Sequence, residues 1–474
     1  MNQRTANRLN TAINQYLDSR DLLDKNPGWV IQESLVGGLG VFATRDLQPG
    51  EVIFRDSPVI IGPRCLPDCS RICASCLSKT PLKQCKNGCG LDLCLNCPST
   101  GHQNQCEFIR KCLPKSVALT EDFRKTLYEN YTPITSLFLS EKDKDVIRCL
   151  IAHDRDRHGH EIDSLKTIGL QFEKNDEKFM RFVCCAMDAN AFEVTVGTNE
   201  SQTSVRGLYP LGSLANHSCV PNTTHVFDND QRMIATASKF IEKHSEIFQS
   251  YTRLTWGTAA RLYHLHITKH FVCKCPRCKD PTEFGTFMGS VLCKLCRGIV
   301  SPLNPFKAAA RWRCRDCQNV ITGKDTGELM TLLGSILKNM ASDDFPFMLK
   351  FLNGKLKDVV PDDNQVAVEL KFKIVWILGH RNGYKWNDLP TELLQIKKTI
   401  CEDLLQLLEK LRCGQSKMRG LLLYELFCCK REFYNRDNKQ ITEIQALLHE
   451  AALILKYDAT ANEELKNAWK IDSI

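Results

Sequence analysis

The chain has 474 residues, a formal net charge of +8 and charged side chains at 25% of its positions. This length supports two to four domains, each with its own core, and no stretch approaches the ~18 uninterrupted apolar residues of a membrane span. The polar N-terminus lacks the apolar core of a secretory signal. Because Lys and Arg are scattered among Asp and Glu, a dedicated nucleic-acid surface is disfavoured.

Cysteine is the most informative residue type, with 25 in the chain. Without a secretory signal we expect a reducing compartment, where closely spaced thiols are far more often metal ligands than disulfides. Many of the thiols form tight pairs, and a short turn between two cysteines presents both sulfurs to one tetrahedral zinc ion. The composition therefore predicts several zinc sites.

Residues 1–28 are predicted to form a helical segment, and residues 29–72 a β-rich unit. The stretch VGGLGVFA at 36–43 places glycines at 37, 38 and 40, which permit a tight turn and close approach of the backbone to a ligand. An ordinary β-turn is the alternative. A Pro-Gly turn at 49–50 then separates two short runs with strand character, unlike the strand–loop–helix of a nucleotide-binding fold.

Residues 73–106 contain four pairs of metal-ligand residues. In chain order they are Cys73 with Cys76, Cys85 with Cys89, Cys94 with Cys97, and His102 with Cys106. Eight ligands make two tetrahedral sites, and because about 34 residues cannot bury an independent core, the metal would supply most of the folding free energy. The pairs could bind sequentially, or as a cross-brace in which the first and third share an ion. Spacing alone does not distinguish the two.

A single thiol, Cys219, lies in LANHSCVPN at 214–222. This stretch belongs to residues 181–255, which follow a predicted helical segment at 107–180. The next thiols, in residues 256–280, are Cys273, Cys275 and Cys278. Three ligands leave a tetrahedral zinc one short. We therefore expect Cys219 to be the fourth, so that zinc ties the Asn-His segment to a distant part of the chain.

Two further pairs in residues 281–325 predict a zinc-ribbon-like segment; they are Cys293, Cys296, Cys314 and Cys317. With these the expected zinc ions number about four, all structural because protein ligands fill every coordination position. Residues 326–474 have the apolar spacing of amphipathic helices, most clearly between 393 and 411, and predict a helical bundle.

Together these motifs resemble the SET and MYND domain (SMYD) family of protein-lysine methyltransferases. They occur in the family's order: GGLGVFA at 37–43, the zinc-finger cluster at 73–106, GLYP at 207–210 with NHSCVPN at 216–222, EIFQSY at 246–251 and CKCPRC at 273–278. The zinc pairs after residue 280 and RGLLLYEL at 419–426 look most like the arthropod SmydA branch. The resemblance implies an α+β fold: a β-rich SET domain with an inserted MYND zinc finger, a post-SET zinc site and an all-helical, tetratricopeptide-like C-terminal domain.

The resemblance also implies a function, methyl transfer from S-adenosyl-L-methionine to lysines of histone or non-histone proteins. It assigns the orientation of the reacting groups to Tyr251. The implied cofactor-binding residues are Gly38, Leu39, Gly40, Asn216, His217, Tyr251 and Phe271. Asn190 matches a position near the substrate lysine channel, with a helix-cap or turn role as the alternative.

The sequence departs from the family before the tyrosine motif. His244-Ser-Glu246 replaces a Gly-Glu-Glu turn, and Gln249 stands where an apolar residue is usual. The alternative function is therefore a catalytically weak or inactive adaptor that binds protein partners in transcriptional regulation. We further expect a monomer in cytoplasm and nucleus that acts on a protein substrate in chromatin or elsewhere. The family suggests proline-rich peptide partners at the MYND finger.

Overall fold

The computed structural model describes residues 3–63, 71–97, 99–152, 159–197, 203–341, 344–436 and 444–471. Within these ranges, none of the helices combines the length and the hydrophobicity that a membrane crossing needs.

The N-terminal part begins with helix α1 and continues as short antiparallel strands. The elements are α1 (Gln3–Asp18), β1 (Trp29–Glu33), β2 (Leu39–Ala43), β3 (Val52–Asp56) and β4 (Ile60–Pro63), followed by the zinc-finger hairpin β5 (Leu82–Gln84) and β6 (Asp92–Cys94). Strands β1 and β2 pair from Trp29–Ala43 to Glu33–Leu39, so the turn between them contains the glycine-rich stretch.

Six helices follow the zinc finger. They are α2 (Gln103–Cys112), α3 (Glu121–Asn130), α4 (Thr132–Thr135), α5 (Glu141–Arg148), α6 (His160–Thr167) and α7 (Lys174–Asn190). Thr120 accepts a hydrogen bond from Phe123 N at the start of α3, and Ser140 accepts one from Asp143 N at the start of α5, so side-chain caps define both boundaries. Helix α7 runs across residue 180, the predicted boundary between the segments 107–180 and 181–255.

Four more strands complete two three-stranded antiparallel sheets. They are β7 (Phe192–Val196), β8 (Thr203–Leu208), β9 (Thr223–Phe227) and β10 (Met233–Ala237). The sheet orders are β3-β10-β9 and β4-β8-β7. Their inward-facing residues form one core with α1 to α7, and Ile31, Val41, Val205 and Ile247 are at most 1% exposed there.

Residues 245–251 join two parts of this region that are distant in sequence. Ile247 N donates to Val41 O (2.7 Å) on one side, and Gln249 N donates to Asn216 O (2.9 Å) on the other. Ser218 N in turn donates to Gln249 O (2.9 Å). The tyrosine motif therefore lies between the glycine-rich strand and the Asn-His segment.

After residue 257 two helices precede a small four-stranded sheet, and the rest of the described chain is helical. The elements are α8 (Thr258–Lys269), α9 (Pro276–Lys279), β11 (Val291–Leu292), β12 (Ile299–Pro302), β13 (Arg311–Cys314), β14 (Val320–Thr322), α10 (Gly323–Asn339), α11 (Phe345–Asn353), α12 (Gln365–Ile377), α13 (Thr391–Lys410), α14 (Lys417–Arg436), α15 (Gln445–Leu455) and α16 (Glu463–Ile471). Helix α13 covers the predicted 393–411 stretch and buries Ile400, Leu404 and Leu408. The predicted α+β fold with a helical C-terminal region is confirmed.

The helical region contacts the β-rich core directly. Gln415 N donates to Ser238 O (2.7 Å), and Ala459 N donates to Phe227 O (3.0 Å). A Cβ on Gly414, whose φ is +58°, would lie 2.1 Å from Ser238 O. Only glycine fits this close approach, and the junction is therefore a tight one.

Candidate active site and zinc clusters

The structure assembles the predicted metal ligands into four groups of four. They are Cys73, Cys76, Cys94 and Cys97; Cys85, Cys89, His102 and Cys106; Cys219, Cys273, Cys275 and Cys278; and Cys293, Cys296, Cys314 and Cys317. In every group the four ligand atoms lie within 4.8 Å of one another. Of the two wirings left open for residues 73–106, the structure contains the cross-brace. Cys65 and Cys69, just upstream of the zinc finger, lie outside the described residues.

The sulfur spacings fit zinc. Zn–S bonds of about 2.3 Å in a tetrahedron place neighbouring sulfurs about 3.8 Å apart. The measured Sγ–Sγ distances are 3.7 Å for Cys76–Cys94, 3.7 Å for Cys85–Cys106, 3.5 Å for Cys219–Cys278 and 3.6 Å for Cys293–Cys317. Three groups offer four thiols each, and the fourth offers three thiols and one imidazole. Both kinds of donor set are those of structural zinc.

The group around Cys219 is supported by buried charges that the sequence patterns did not reveal. Arg261 and Arg277 are 0% exposed, and both bind the Glu283 carboxylate, Arg261 Nη1 at 2.7 Å and Arg277 Nε at 3.1 Å. Burial alone would raise the pKa of Glu283, but the two guanidinium groups hold that pKa below its ordinary value. Arg261 Nη2 also lies 3.7 Å from Cys278 Sγ. The two cations, with Glu283 between them, therefore carry a net positive charge that offsets part of the negative charge of a four-thiolate zinc site.

Asn216 connects the glycine-rich turn to the tyrosine motif. Its Nδ2 donates to Leu39 O (3.0 Å) and to Glu246 Oε1 (2.7 Å), while Glu246 Oε2 accepts from Ser34 Oγ (2.9 Å). A Cβ on Gly40 would lie 2.3 Å from Glu246 Oε1 and 2.9 Å from Asn216 Nδ2. The third glycine of the motif is therefore needed for this contact.

Open space lies beside this junction. Gly37 and Gly38 have φ values of +139° and +64°, and a Cβ on either would meet nothing within 4 Å. The neighbouring Leu35 and Val36 are 104% and 64% exposed. Bent backbone next to exposed apolar side chains and the polar Asn216 amide suits an amphipathic ligand such as a nucleoside with an amino-acid tail. The predicted residues therefore fit S-adenosylmethionine.

Tyr251, His217 and Phe271 form an aromatic cluster. The ring centroids lie 5.2 Å apart for His217–Tyr251, 5.9 Å for His217–Phe271 and 6.4 Å for Tyr251–Phe271. The Tyr251 hydroxyl donates to Ala215 O (2.9 Å). Burial, with a smaller contribution from Glu246, raises the pKa of Tyr251 well above its ordinary value, so the hydroxyl remains protonated at neutral pH.

His217 links that cluster to the zinc ligands. Its Nδ1 accepts a hydrogen bond from Tyr251 N (2.8 Å), and its Nε2 lies 3.2 Å from Cys219 Sγ. An accepting Nδ1 assigns the imidazole proton to Nε2, which then donates to the Cys219 sulfur. The imidazole therefore fixes the position of Tyr251 relative to the predicted zinc ion.

A cavity of about 410 Å³ opens beside Tyr251. Its walls come from the end of α7, the start of β7, residues 249–251 and α8, and they include Asn190 and Lys269. Asn190 Nδ2 donates to the carbonyls of Ile151 (2.6 Å) and Ala186 (2.7 Å). Asn190 thus lines the cavity, and its side-chain amide also stabilises the backbone at the end of α7. The structure is therefore compatible with both roles considered for Asn190, a position near the lysine channel and a capping residue.

The departures before Tyr251 have local explanations. His244 has a φ of +67°, the left-handed region in which glycine is favoured and other residues are strained. Gln249 is buried, and its Nε2 donates to Gly212 O (2.7 Å) and Ala215 O (2.9 Å). The polar side chain therefore stabilises the carbonyl that also accepts the Tyr251 hydroxyl. Neither change removes a group from the cluster.

Glu246 and Lys269 are site residues whose positions the sequence patterns did not reveal. In the sequence Glu246 is the only acid of the His-Ser-Glu turn, and nothing there indicates its bond to Asn216. Lys269 ends a helix, where lysine is common, and no spacing signal points it into a cavity. A structure was needed to find both.

Comparison with known proteins gives a consistent pattern. Residues 38–252 match the SET domain family. The SET domain-containing protein SmydA-8, isoform A, of Drosophila melanogaster is 30% identical over 416 residues, covering 86% of this chain and 89% of the relative. The histone-lysine N-methyltransferase SMYD3 of Homo sapiens is 27% identical over 263 residues, covering 51% and 59%. The histone-lysine N-methyltransferase ASHR1 of Arabidopsis thaliana is 28% identical over 269 residues, covering 51% and 53%.

Proposed function

The chain belongs to the SET and MYND domain family, on its SmydA branch, and from that membership we propose that it is a protein-lysine N-methyltransferase that uses S-adenosylmethionine. The observation that supports this most is the contact of three distant chain segments around Asn216. The glycine-rich turn, the Asn-His segment and the tyrosine motif meet there, and Tyr251 of that motif lines a cavity.

In the proposed reaction the cofactor supplies an electrophilic methyl group on a sulfonium. Backbone of residues 38–40, together with Asn216 and His217, would hold it in the open space beside the turn. Phe271 and the Tyr251 ring would form the apolar wall. This arrangement excludes water from one side of the cavity and directs a substrate amine toward Tyr251.

Tyr251 would act through the position of its hydroxyl. The hydroxyl is held on Ala215 O (2.9 Å), a carbonyl that Gln249 also contacts, and it stays protonated because burial raises its pKa. A fixed dipole at the end of the cavity orients the amine and stabilises developing charge without forming a covalent bond. The substrate amine must be neutral to react, and a partly desolvated cavity lowers a lysine pKa.

The substrates that fit this proposal are lysines of proteins. SMYD3 and ASHR1 are named histone-lysine N-methyltransferases, which supports histones and other chromatin proteins as the first substrates to try. Proline-rich peptides are the partners we propose for the zinc finger at 73–106, and cytoplasm and nucleus the compartments. We propose that the protein acts as a monomer.

An adaptor without turnover is the second candidate, and the strained His244 supports it. A left-handed histidine two residues before Glu246 weakens the turn that positions the carboxylate bonded to Asn216. Cofactor binding without transfer, or no binding at all, would be the mark of that function.

The test is methyl transfer from radiolabelled S-adenosylmethionine by the zinc-loaded protein, offered histones and a whole-cell extract. Tyr251→Phe and Asn216→Ala should lose the label. Tyr263→Phe and Asn229→Ala, at exposed positions, are matched controls that should retain it. Absence of label together with measurable cofactor binding would contradict turnover. Absence of both would favour the adaptor.

A further inference from the structure

A second amine already occupies the cavity beside Tyr251. Lys269, the last residue of α8, lines this cavity together with residues 249–251. Its Nζ donates to Ala189 O (2.5 Å) near the end of α7 and lies 5.7 Å from the centroid of the Tyr251 ring. A lysine side chain thus lies where the proposed function places a substrate lysine.

The surroundings of Lys269 favour its reactive form. Burial lowers the pKa of Lys269 to about 8, and the nearby Asp188 offsets this only in part. At pH 8 about half of such an amine is neutral, compared with about 0.4% of an ordinary lysine. The neutral amine has a free lone pair, which the ammonium lacks. A bound sulfonium would add a positive charge and lower the pKa further.

The contact with Ala189 does not lock the amine in place. Ala189 O lies in the last turn of α7, where backbone carbonyls have no partner within the helix and a lysine is a common cap. A single hydrogen bond of this kind contributes little net free energy, because water offers the amine an equivalent partner. The side chain has four rotatable bonds, so a rotamer change can move the amine within the cavity.

We propose that Lys269 is a methyl acceptor of its own active site, modified within the same molecule. This inference rests on the proposed function. The Nζ lone pair forms a bond to the methyl carbon as the carbon–sulfur bond breaks. That electron pair stays on sulfur to give S-adenosylhomocysteine, and the methylated amine releases its proton to solvent.

Mass spectrometry tests this on the full-length, zinc-loaded protein. After incubation with S-adenosylmethionine that carries a trideuterated methyl group, peptides are mapped for the labelled mass. Lys274, exposed and five residues further on, is the internal control. Because Lys269 lines the cavity beside Tyr251 and Lys274 is exposed, we expect the label on Lys269 and only background label on Lys274. Tyr251→Phe and Lys269→Arg should remove this label, and Lys274→Arg should retain it.

Two further measurements separate this inference from the proposed function. The fraction of Lys269 labelled per unit time should not change when the protein is diluted, because the acceptor and the site belong to one molecule. Independently of turnover, S-adenosylhomocysteine should slow acylation of Lys269 by an amine-reactive reagent and leave Lys274 unchanged.

The outcomes are distinct. Labelled extract proteins with an unlabelled Lys269 would overturn the inference and leave the methyltransferase standing. Labelling that slows on dilution would also overturn it, since the donor site would then belong to another molecule. No label on any protein would overturn both proposals together.

Discussion

Replacing Cys219 with serine should loosen the cofactor site even though the thiol touches no cofactor. Cys219 is two residues beyond His217 and belongs to the group with Cys273, Cys275 and Cys278. Without zinc, residues 216–219 would be held by five hydrogen bonds: three to residues 249 and 251, at 2.9, 2.9 and 2.8 Å, and two from Asn216 to Leu39 and Glu246, at 3.0 and 2.7 Å. At about 1 kcal/mol net each, they contribute about 5 kcal/mol.

Ordering the backbone of four residues costs about 4–8 kcal/mol. The remaining deficit of up to about 3 kcal/mol must be met by the zinc ion, and structural zinc sites can supply this. Without zinc, residues 216–219 adopt their binding-competent conformation in a smaller fraction of the molecules. The apparent affinity for the cofactor falls by the same factor as that fraction. We expect Cys219→Ser to weaken S-adenosylhomocysteine binding about tenfold or more, corresponding to about 1.4 kcal/mol.

Isothermal titration calorimetry measures this, with zinc content determined by elemental analysis. Cys314→Ser is the matched control, because Cys314 is equally buried at 0% against 1% for Cys219 and belongs to another four-thiol group. Both variants should lose about one zinc ion, but only Cys219→Ser should lose affinity. Equal affinity in the two zinc-depleted variants would refute the coupling of metal to cofactor loop.

Three further changes test other parts of the site. Gly40→Ala places a methyl group 2.3 Å from Glu246 Oε1 and should weaken cofactor binding by about 1–3 kcal/mol. Gly327→Ala is the control, because its methyl group would meet nothing within 4 Å. Calorimetry should show normal cofactor binding by this control variant. Gln249→Leu removes two buried hydrogen bonds. It should lower the free energy of local opening at residues 249–251 by about 1–3 kcal/mol, measured by native-state hydrogen exchange. An unchanged exchange rate would contradict a stabilising role of these two bonds. Burial raises the pKa of Asp56 to about 7, above its value in the unfolded chain. The contribution of Asp56 to the free energy of unfolding is therefore complete below about pH 4 and is lost as the pH rises through about 7. The total loss is at most about 4 kcal/mol. Asp56→Asn should remove that dependence from thermal melts at pH 5 and 8, and a parallel decline in both proteins would count against it.

Patterns that depend on local spacing were the ones that the sequence could predict. Pairs of cysteines two to four residues apart, and apolar residues at helical spacing between 393 and 411, each carry their own geometry. The family and the fold class followed from such motifs and are confirmed. The role of Cys219 was also predictable, because three neighbouring ligands left one coordination position to fill.

What the sequence could not supply depended on contacts between distant segments. The cross-brace and the sequential wiring have the same ligand spacing, so only three-dimensional proximity separates them. In the sequence Gln249 is a polar residue at a position that is usually apolar. The carbonyls that accept its hydrogen bonds lie more than 30 residues away. The ion pairs of the buried Arg261 and Arg277 with Glu283 likewise join residues 6 to 22 positions apart, although Arg277 itself lies within the CKCPRC motif.

Residues 245–251, which hydrogen-bond to two distant segments, also determine the chain length at which the candidate active site can form during synthesis. Its partners at 41–43 and 216–218 are separated by more than 170 residues, and the Val41–Ile247 and Asn216–Gln249 contacts hold both. Contacts across such separations form late, because the intervening chain must first be ordered. The zinc finger at 73–106 has all its ligands within one short stretch and can close as soon as that stretch is made. A nascent chain of between 106 and 251 residues therefore has the ligands of the zinc finger but lacks the segment that joins the glycine-rich strand to Asn216.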